Sequence, residues 1–481
     1  VRATTPWPAR LAARSGRLLL CAQLIMTAFF GSWRRVSLTS DWPVISWIVD
    51  SPPLLAAALA AGAFILGGAL VAWHYERRAE LSRHPAAARG AAALLLALAA
   101  LVALAFLSAP QALAPTVAGA GAWRLALVLA LGALAWLARP SPGEVTAALA
   151  IGLAVQAPIG IAQFLAQRSL GLGALGEIQG LDSFTSRASV VSAGDEHWLR
   201  AYGLAAHPNV LGGYLVLGLL MLCGALVAGR GGRLRGLLWA LTIAGLVALV
   251  LTFSRSAWVG LAAGLVALAW AAAGQLRGRL GRRGLLAAVL VVALVGLSVR
   301  EALLARALVS ASALEEQSIA ERLFYAAAAW KLIVARPWLG YGVDNFPLAV
   351  QALLHETPST LGYPNVHNVL LLAGSELGSG AALIWLGLGA LGVLVPFQLV
   401  RAGRARGRRV DPRVVALGAA WLALWVIALF DYYLWSSLRN SMVWPVVLGA
   451  WIAWWPQLLR PAAPQAGAPQ AGAPQAGAPQ P

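Results

Sequence analysis

Residues 321–346, ERLFYAAAAWKLIVARPWLGYGVDNF, and residues 364–380, PNVHNVLLLAGSELGSG, bracket the one long polar-punctuated interruption in an otherwise apolar chain. The first segment carries Arg322 at the head of an amphipathic stretch and a glycine-rich turn. The second places His367 and Asn368 just before apolar sequence resumes. Reading this interruption as a loop at one face of a membrane decides the fold, because an error of one span here would invert the sidedness of everything that follows.

Working outward, the composition agrees with a membrane solvent. Of 481 residues 60% are hydrophobic and only 11% are charged, with a mean hydropathy of +0.74. A soluble globular chain does not carry that balance. Apolar segments long enough to cross about 30 Å of hydrocarbon as helices fall at 17–32, 53–73, 90–108, 122–138, 144–166, 207–228, 236–253, 256–273, 284–300, 366–400, 413–431 and 441–456. In the tenth of these, Gly374, Gly378 and Gly380 divide a short entry helix from a span that lies mostly after residue 379. The expectation is an all-α polytopic membrane protein of about twelve transmembrane helices with a large, partly helical outer-face loop.

Charge placement gives the orientation. The net charge is +18 from 36 basic and 18 acidic residues, and every basic residue but Lys331 is arginine. Twenty-three of the basic residues and four of the acidic ones (Glu76, Glu80, Glu144, Asp411) fall on the side assigned to the cytoplasm, leaving the other side near neutral. The positive-inside rule then puts both termini in the cytoplasm and makes nucleic-acid binding unnecessary as an explanation of the charge. The first apolar segment has no A-x-A-like exit and is followed by Trp33, Arg34 and Arg35, so it reads as a retained span. Cys21 and Cys223 both lie in apolar spans, so no disulfide framework is expected. Trp42, Trp47, Trp435 and Trp444 suit the membrane interface, where an indole keeps its N–H wet.

The expected organisation is therefore N-terminal transmembrane helices over 1–166, an outer loop over 167–206 and arginine-bearing transmembrane helices over 207–300. A large outer-face loop over 301–365 and C-terminal transmembrane helices over 366–456 follow. The tail, 457–481, repeats PQAGA, has no apolar face to bury and reads as disordered.

Four groups of residues could carry chemistry. Arg200 precedes the sixth span in LRAYGLAAHPNVLGGYL, alongside His207 and Asn209; it is either an interfacial anchor or part of a site. Arg255 lies in LTFSRSAWVG, a turn so short that its guanidinium must lie at the outer membrane surface. A charge at that depth needs a partner, either a tertiary carboxylate such as Asp431 or Glu376 or a phosphate, whose oxygens suit the planar arginine fork. Arg322 opens a helix ended by Arg336 and Pro337, and PWLGYGVDNF after it is glycine-rich enough to bring backbone N–H groups close to a ligand. His367 is the side chain suited to taking a proton near neutral pH. His197, His207, His355 and His367 form no close metal-ligand pair, no DxD pair occurs and no GxSxG frames a serine nucleophile. What is left is a metal-free, cofactor-free outer-face site of arginines and one histidine.

The order RAYGLAAHPNVLGGYL, LTFSRSAWVGLAAGL, ERLFYAAAAWKLIVARPWLGYGVDNF and HNVLLLAGSELGSG, spread over Arg200 to Leu391, resembles the bacterial O-antigen ligase and Wzy-type polymerase superfamily of membrane glycosyltransferases. The N-terminal spans match in hydropathy only. The resemblance implies an inner-membrane enzyme that moves a glycan from an undecaprenyl pyrophosphate carrier to an acceptor sugar hydroxyl, by inversion and without a metal. It implies Arg200, Arg255 and Arg322 at the pyrophosphate and His367 as general base, with His207, Asn209, Asn368 and Glu376 in support. The expected partners are the lipid-linked donor, a lipid A core or other glycan acceptor, and membrane lipids. A Wzy-type polymerase, which would take a second lipid-linked repeat as acceptor, is the alternative. A peptidoglycan glycosyltransferase of the rod-shape type fits the motif order less well. A polysaccharide flippase would carry charges deep in several spans, whereas here they gather at the outer ends, and a scaffold would leave the arginines unexplained.

Overall fold

The computed structural model describes residues 7–26, 62, 66–68, 70, 71, 74, 78, 82, 83, 85–182, 188–193, 196–229, 234–276, 281–307, 313–354, 365–405, 410–436 and 438–459. Its first half runs α1 (Trp7–Met26), α2 (Pro85–Ser108), α3 (Pro115–Ala138), α4 (Pro142–Ala166), a hairpin of β1 (Val190–Ala193) and β2 (Glu196–Leu199), and α5 (Pro208–Val227). There follow α6 (Arg235–Leu251), α7 (Arg255–Leu276), α8 (Arg282–Ser298), α9 (Arg300–Ala307), α10 (Ala313–Ala335) and α11 (Phe346–Leu354). The last group is α12 (Val369–Leu377), α13 (Ser379–Ala405), α14 (Pro412–Ala428), α15 (Tyr433–Ser436), α16 (Leu438–Ser441) and α17 (Val443–Trp454).

The chain starts its helices with local signals. Proline at the first helical position, where its missing N–H costs nothing, opens α3, α4, α5 and α14. Ser141 and Glu144 form a reciprocal capping box at α4, and Asn368 and Asp411 cap α12 and α14. Among the described residues six helices are long and apolar enough to cross a membrane: Ala88–Gln111, Pro115–Ala138, Pro142–Ala166, Pro208–Val227, Arg255–Ala273 and Ser379–Ala405. The span expected at 284–300 is instead a pair, α8 and α9, bent by 80°. Those expected at 236–253, 413–431 and 441–456 are the shorter apolar helices α6, α14 and α17. The first runs earlier than expected, as Trp7–Met26, and the one expected at 53–73 lies largely outside the described residues.

Helix α5 is the axis of the bundle, with 89% of its span buried. It packs on α4, α6, α7 and α14. A helix apolar all round belongs in such a place, since no polar face needs water. Small residues let its neighbours meet backbone to backbone: a Cβ added at Gly260 would lie 3.0 Å from the carbonyl oxygen of Ala423, and one at Gly264 3.1 Å from that of Ala419. This Gly-x-x-x-Gly spacing on α7 is the close-approach device of membrane helix pairs, here used against α14. On the far side α3 packs on α17 and α2 on α13. The lipid-facing surface is carried by residues such as Leu286, Val289 and Leu290 of α8.

Two of the expected interfacial indoles are not interfacial. Trp435 and Trp444 are 2% and 1% exposed, and each gives its N–H to protein, to Glu376 at 2.8 Å and to the Leu434 carbonyl at 3.0 Å. Packing supplied the partner that water would have supplied. Trp42, Trp47 and the tail beyond 459 lie outside the described residues.

Candidate functional site

Three helix N-termini meet at one end of the bundle. Asn209 is in the first turn of α5, Arg255 and Ser256 begin α7, and His367 and Asn368 immediately precede α12. Each N-terminus carries partial positive charge, so their convergence favours an anion before any side chain is counted, although the first N–H groups of α5 are already taken by the His207 ring and carbonyl.

Asp431, in the loop after α14, ties two of them together. Its Oδ2 accepts from the Asn209 side chain at 2.7 Å and from the Ser256 hydroxyl at 3.4 Å. Burial raises its pKa above the usual carboxylate value, opposed chiefly by the Arg322 guanidinium and then by the Asn209 hydrogen bond. The third is tied by Asn368, whose side-chain amide donates to the Leu429 carbonyl at 3.0 Å while its oxygen caps Leu371 at 3.1 Å.

Arg200 lies behind this junction and is 3% exposed. Its Nε donates to the Thr252 carbonyl at 2.7 Å, one terminal nitrogen to Ser189 Oγ at 2.8 Å and the other to Asn209 Oδ1 at 2.6 Å. These bonds orient Asn209 toward Asp431, and the same guanidinium adds fixed positive charge. The turn it grips holds Phe253 at φ 49°, fully buried, a left-handed conformation that costs a non-glycine residue energy and persists only where surroundings enforce it. Arg306, at the end of α9, supplies part of that enforcement. Its Nε donates to the Phe253 carbonyl and its own carbonyl accepts from Arg255, each at 3.2 Å. The 80° bend between α8 and α9 brings Arg306 to this turn.

Arg322 is half-buried on α10, and its charge is felt at Asp431, His367 and His207. It lies within the helix, which begins at Ala313, rather than opening it as expected. His367 is half-buried with its ring edge-on to Tyr432, centroids 5.0 Å apart, and its Nδ1 is buried without a hydrogen-bond partner. Burial first, and Arg322 second, hold its pKa down to about 4, with the Asn365 backbone pulling the other way. The ring is therefore neutral at pH 7 and able to accept a proton. His207 is engaged differently: its Nδ1 caps α5 by accepting from the Asn209 N–H at 3.1 Å. Burial, then Arg200, then His367, keep it well below the usual histidine range.

The structure thus brings Arg200, His207, Asn209, Arg255, Arg322, His367 and Asn368 to one end of the bundle. It does not bring Glu376 there. That carboxylate is 1% exposed in α12 and belongs to a second polar group: it accepts from Trp435, whose carbonyl accepts from Arg124 at 2.6 Å, and Arg124 pairs with Asp344 at 2.8 Å. The glycine-rich turn also differs from expectation. The N–H groups of Tyr341 and Gly342 donate to the carbonyls of Ser375 and Glu376, at 3.1 and 2.8 Å, so they close the C-terminal end of α12 instead of facing a ligand.

Sequence reasoning missed Arg306, Tyr432 and Arg124, and weighed Asp431 only as a counter-charge to Arg255. No motif marks Arg306. A fourth arginine between the outer ends of two apolar segments was the signal available.

Chemically, the end of the bundle offers cationic side chains and helix N-termini for an anion, a neutral imidazole for a proton and a buried carboxylate beside them. A small, mostly apolar pocket flanks it, lined by Val210, Leu217, Leu424, Tyr433 and Asn440 among others. Among the described residues no three His, Cys, Asp or Glu side chains come together as a metal site requires. Residues 240–386 match the family model described as O-antigen ligase. No curated protein matches the chain.

Proposed function

We propose, for a chain with membrane-spanning helices whose residues 240–386 match the O-antigen ligase family model, that it transfers a glycan from undecaprenyl pyrophosphate to a sugar hydroxyl of lipid A core. The observation that carries this reading is the placement of half-buried His367, edge-on to Tyr432, where three helix N-termini converge with Arg200, Arg255 and Arg306. In the proposed step the acceptor oxygen attacks the anomeric carbon from the side opposite the pyrophosphate. The new C–O bond forms as the bond to the pyrophosphate oxygen breaks, which inverts the centre. His367 takes the hydroxyl proton, raising the acceptor's nucleophilicity, and undecaprenyl pyrophosphate departs with the electron pair.

Arg255 and Arg322, with Arg306, offset the charge that grows on the leaving oxygen, while Arg200 holds Asn209 and adds to the same field. Asp431 balances the arginines in the free site, so that several cations can share one buried place before the donor arrives. No metal enters the scheme. The positive-inside charge distribution supports cytoplasmic termini and a site on the outer face of the bacterial inner membrane.

The test is turnover of purified protein with an undecaprenyl pyrophosphate-linked oligosaccharide, with lipid A core in one tube and no added acceptor in another. Product only with core is the result expected of the ligase. A glycan ladder without core would assign the polymerase reaction instead. Donor left intact in both tubes by a folded sample, or full activity in His367→Ala, would overturn the proposal.

A further inference from the structure

At the end of the bundle remote from Arg200, Arg255 and Arg322, α7, α13, α14 and α17 leave an open cleft. Its lining is mostly apolar, with the small residues Ala267, Ala271, Gly392, Gly418 and Ala419 beside Trp451, Trp270 and Phe397. Pro396 has no N–H to give the carbonyl of Gly392 one turn back, and that carbonyl accepts from the Trp451 indole at 3.2 Å instead. That carbonyl is therefore satisfied within the protein. At the rim, Trp270 and Phe397 stack at 4.3 Å and are 36% and 42% exposed, on the surface the bilayer would cover.

The rim also carries cations. The Arg404 guanidinium lies 4.8 Å over the Trp270 ring and donates to the Trp270 carbonyl. Arg401 is exposed one turn earlier on α13, in the last turns of that helix. Water does not fill an apolar cleft, and an unfilled one forfeits dispersion contacts along its whole lining. In a membrane the available filler is a hydrocarbon chain. Arginines at the interface beside such a cleft complement a phosphodiester, the combination by which basic pockets between membrane helices hold anionic lipid headgroups.

We infer that this cleft is a binding site for one anionic phospholipid, an acyl chain lying between α7 and α13 and the phosphate at Arg401 and Arg404. The site is separate from the transfer centre and stands whatever reaction occurs there. A zwitterionic lipid such as phosphatidylcholine carries the same phosphate, but its headgroup ammonium is repelled by the two arginines and offsets part of that gain.

The experiment is native mass spectrometry of delipidated full-length protein titrated with phosphatidylglycerol or phosphatidylcholine of equal chain length. One phosphatidylglycerol should be retained about 10-fold more tightly than phosphatidylcholine, the scale of a single charge-assisted interaction. Filling the cleft with Val393→Phe should abolish that first binding event. The surface pair Arg401→Gln with Arg404→Gln, which leaves the packed floor untouched, should keep lipid binding and lose the preference. Equal retention of the two lipids by the wild-type protein overturns the inference, as does a preference that survives the double glutamine variant.

Discussion

Asn209 donates its side-chain amide to the Asp431 carboxylate across 2.7 Å, joining residues 222 positions apart. The contact fastens the first turn of the central helix to the loop behind α14. Because Arg200 holds the oxygen of the same amide, one uncharged side chain separates a buried cation from a buried anion and fixes the place of both.

Asp431→Ala should therefore harm folding as well as turnover. It strands the Asn209 N–H in a buried setting, a loss of about 1–3 kcal/mol, and removes the charge that faces Arg322. Asp431→Asn should retain most of the stability and lose the electrostatic part. Thermal unfolding in detergent beside donor consumption separates the two effects, and equal behaviour of the two variants would contradict the assignment.

His367 predicts a pH dependence with a definite sign. The unfolded ring takes a proton near 6.5, while the folded ring waits until about 4. Between those values the unfolded state binds more protons, so acidification through that window favours unfolding, and below about 4 no further loss arises from this group. The contribution is about 2–3 kcal/mol after allowing for the ring's residual exposure. His367→Gln should lose correspondingly less stability between pH 7 and pH 4. The transfer rate should show no inflection from this histidine between pH 8 and pH 5.

Arg124→Ala should be among the most damaging substitutions outside the transfer centre. The guanidinium pairs with Asp344 and holds the Trp435 carbonyl, with side-chain exposures of 5% and 11% for the ion pair. Breaking a buried pair by removing one partner costs about 3–5 kcal/mol. Loss of folded protein on size-exclusion chromatography is the expected outcome, with Arg124→Lys milder.

Gly340→Ala tests the turn that closes α12. Gly340 has φ +60°, and an added Cβ would lie 2.4 Å from the Glu376 carbonyl carbon. The backbones must separate, and the displacement passes along α12 to His367. Transfer should fall at least 10-fold, with donor binding less affected, since the arginines proposed to hold the pyrophosphate lie on other elements. Unchanged turnover would argue that α12 tolerates the shift.

Charged groups at the ends of apolar segments were readable in the sequence because a membrane makes each one expensive and so conspicuous. That is how Arg200, Arg255, Arg322 and His367 stood out before any fold was known. Arg306 did not, because its position depends on an 80° bend that no glycine or proline at residue 299 announces. Glu376 was grouped with the arginines on sequence proximity to His367. One helix of nine residues is enough to carry it away from them and into the reach of Trp435. The turn at Gly340 and Gly342 looked like a ligand cradle because glycine permits close approach, and sequence cannot tell which neighbour does the approaching. The span count was blurred for a related reason: α6, α14 and α17 are short helices, too short to be separated from long ones by hydropathy alone.

The hydrogen bonds from Tyr341 and Gly342 to Ser375 and Glu376 also bear on the order of synthesis. The donors leave the ribosome more than thirty residues before their acceptors, so the turn after α10 has no partner until α12 has been made. These hydrogen bonds can fix the arginine helix α10 against α12 only once both segments have been made. A chain arrested before residue 375 would hold its arginine helix without the anchor that orients it.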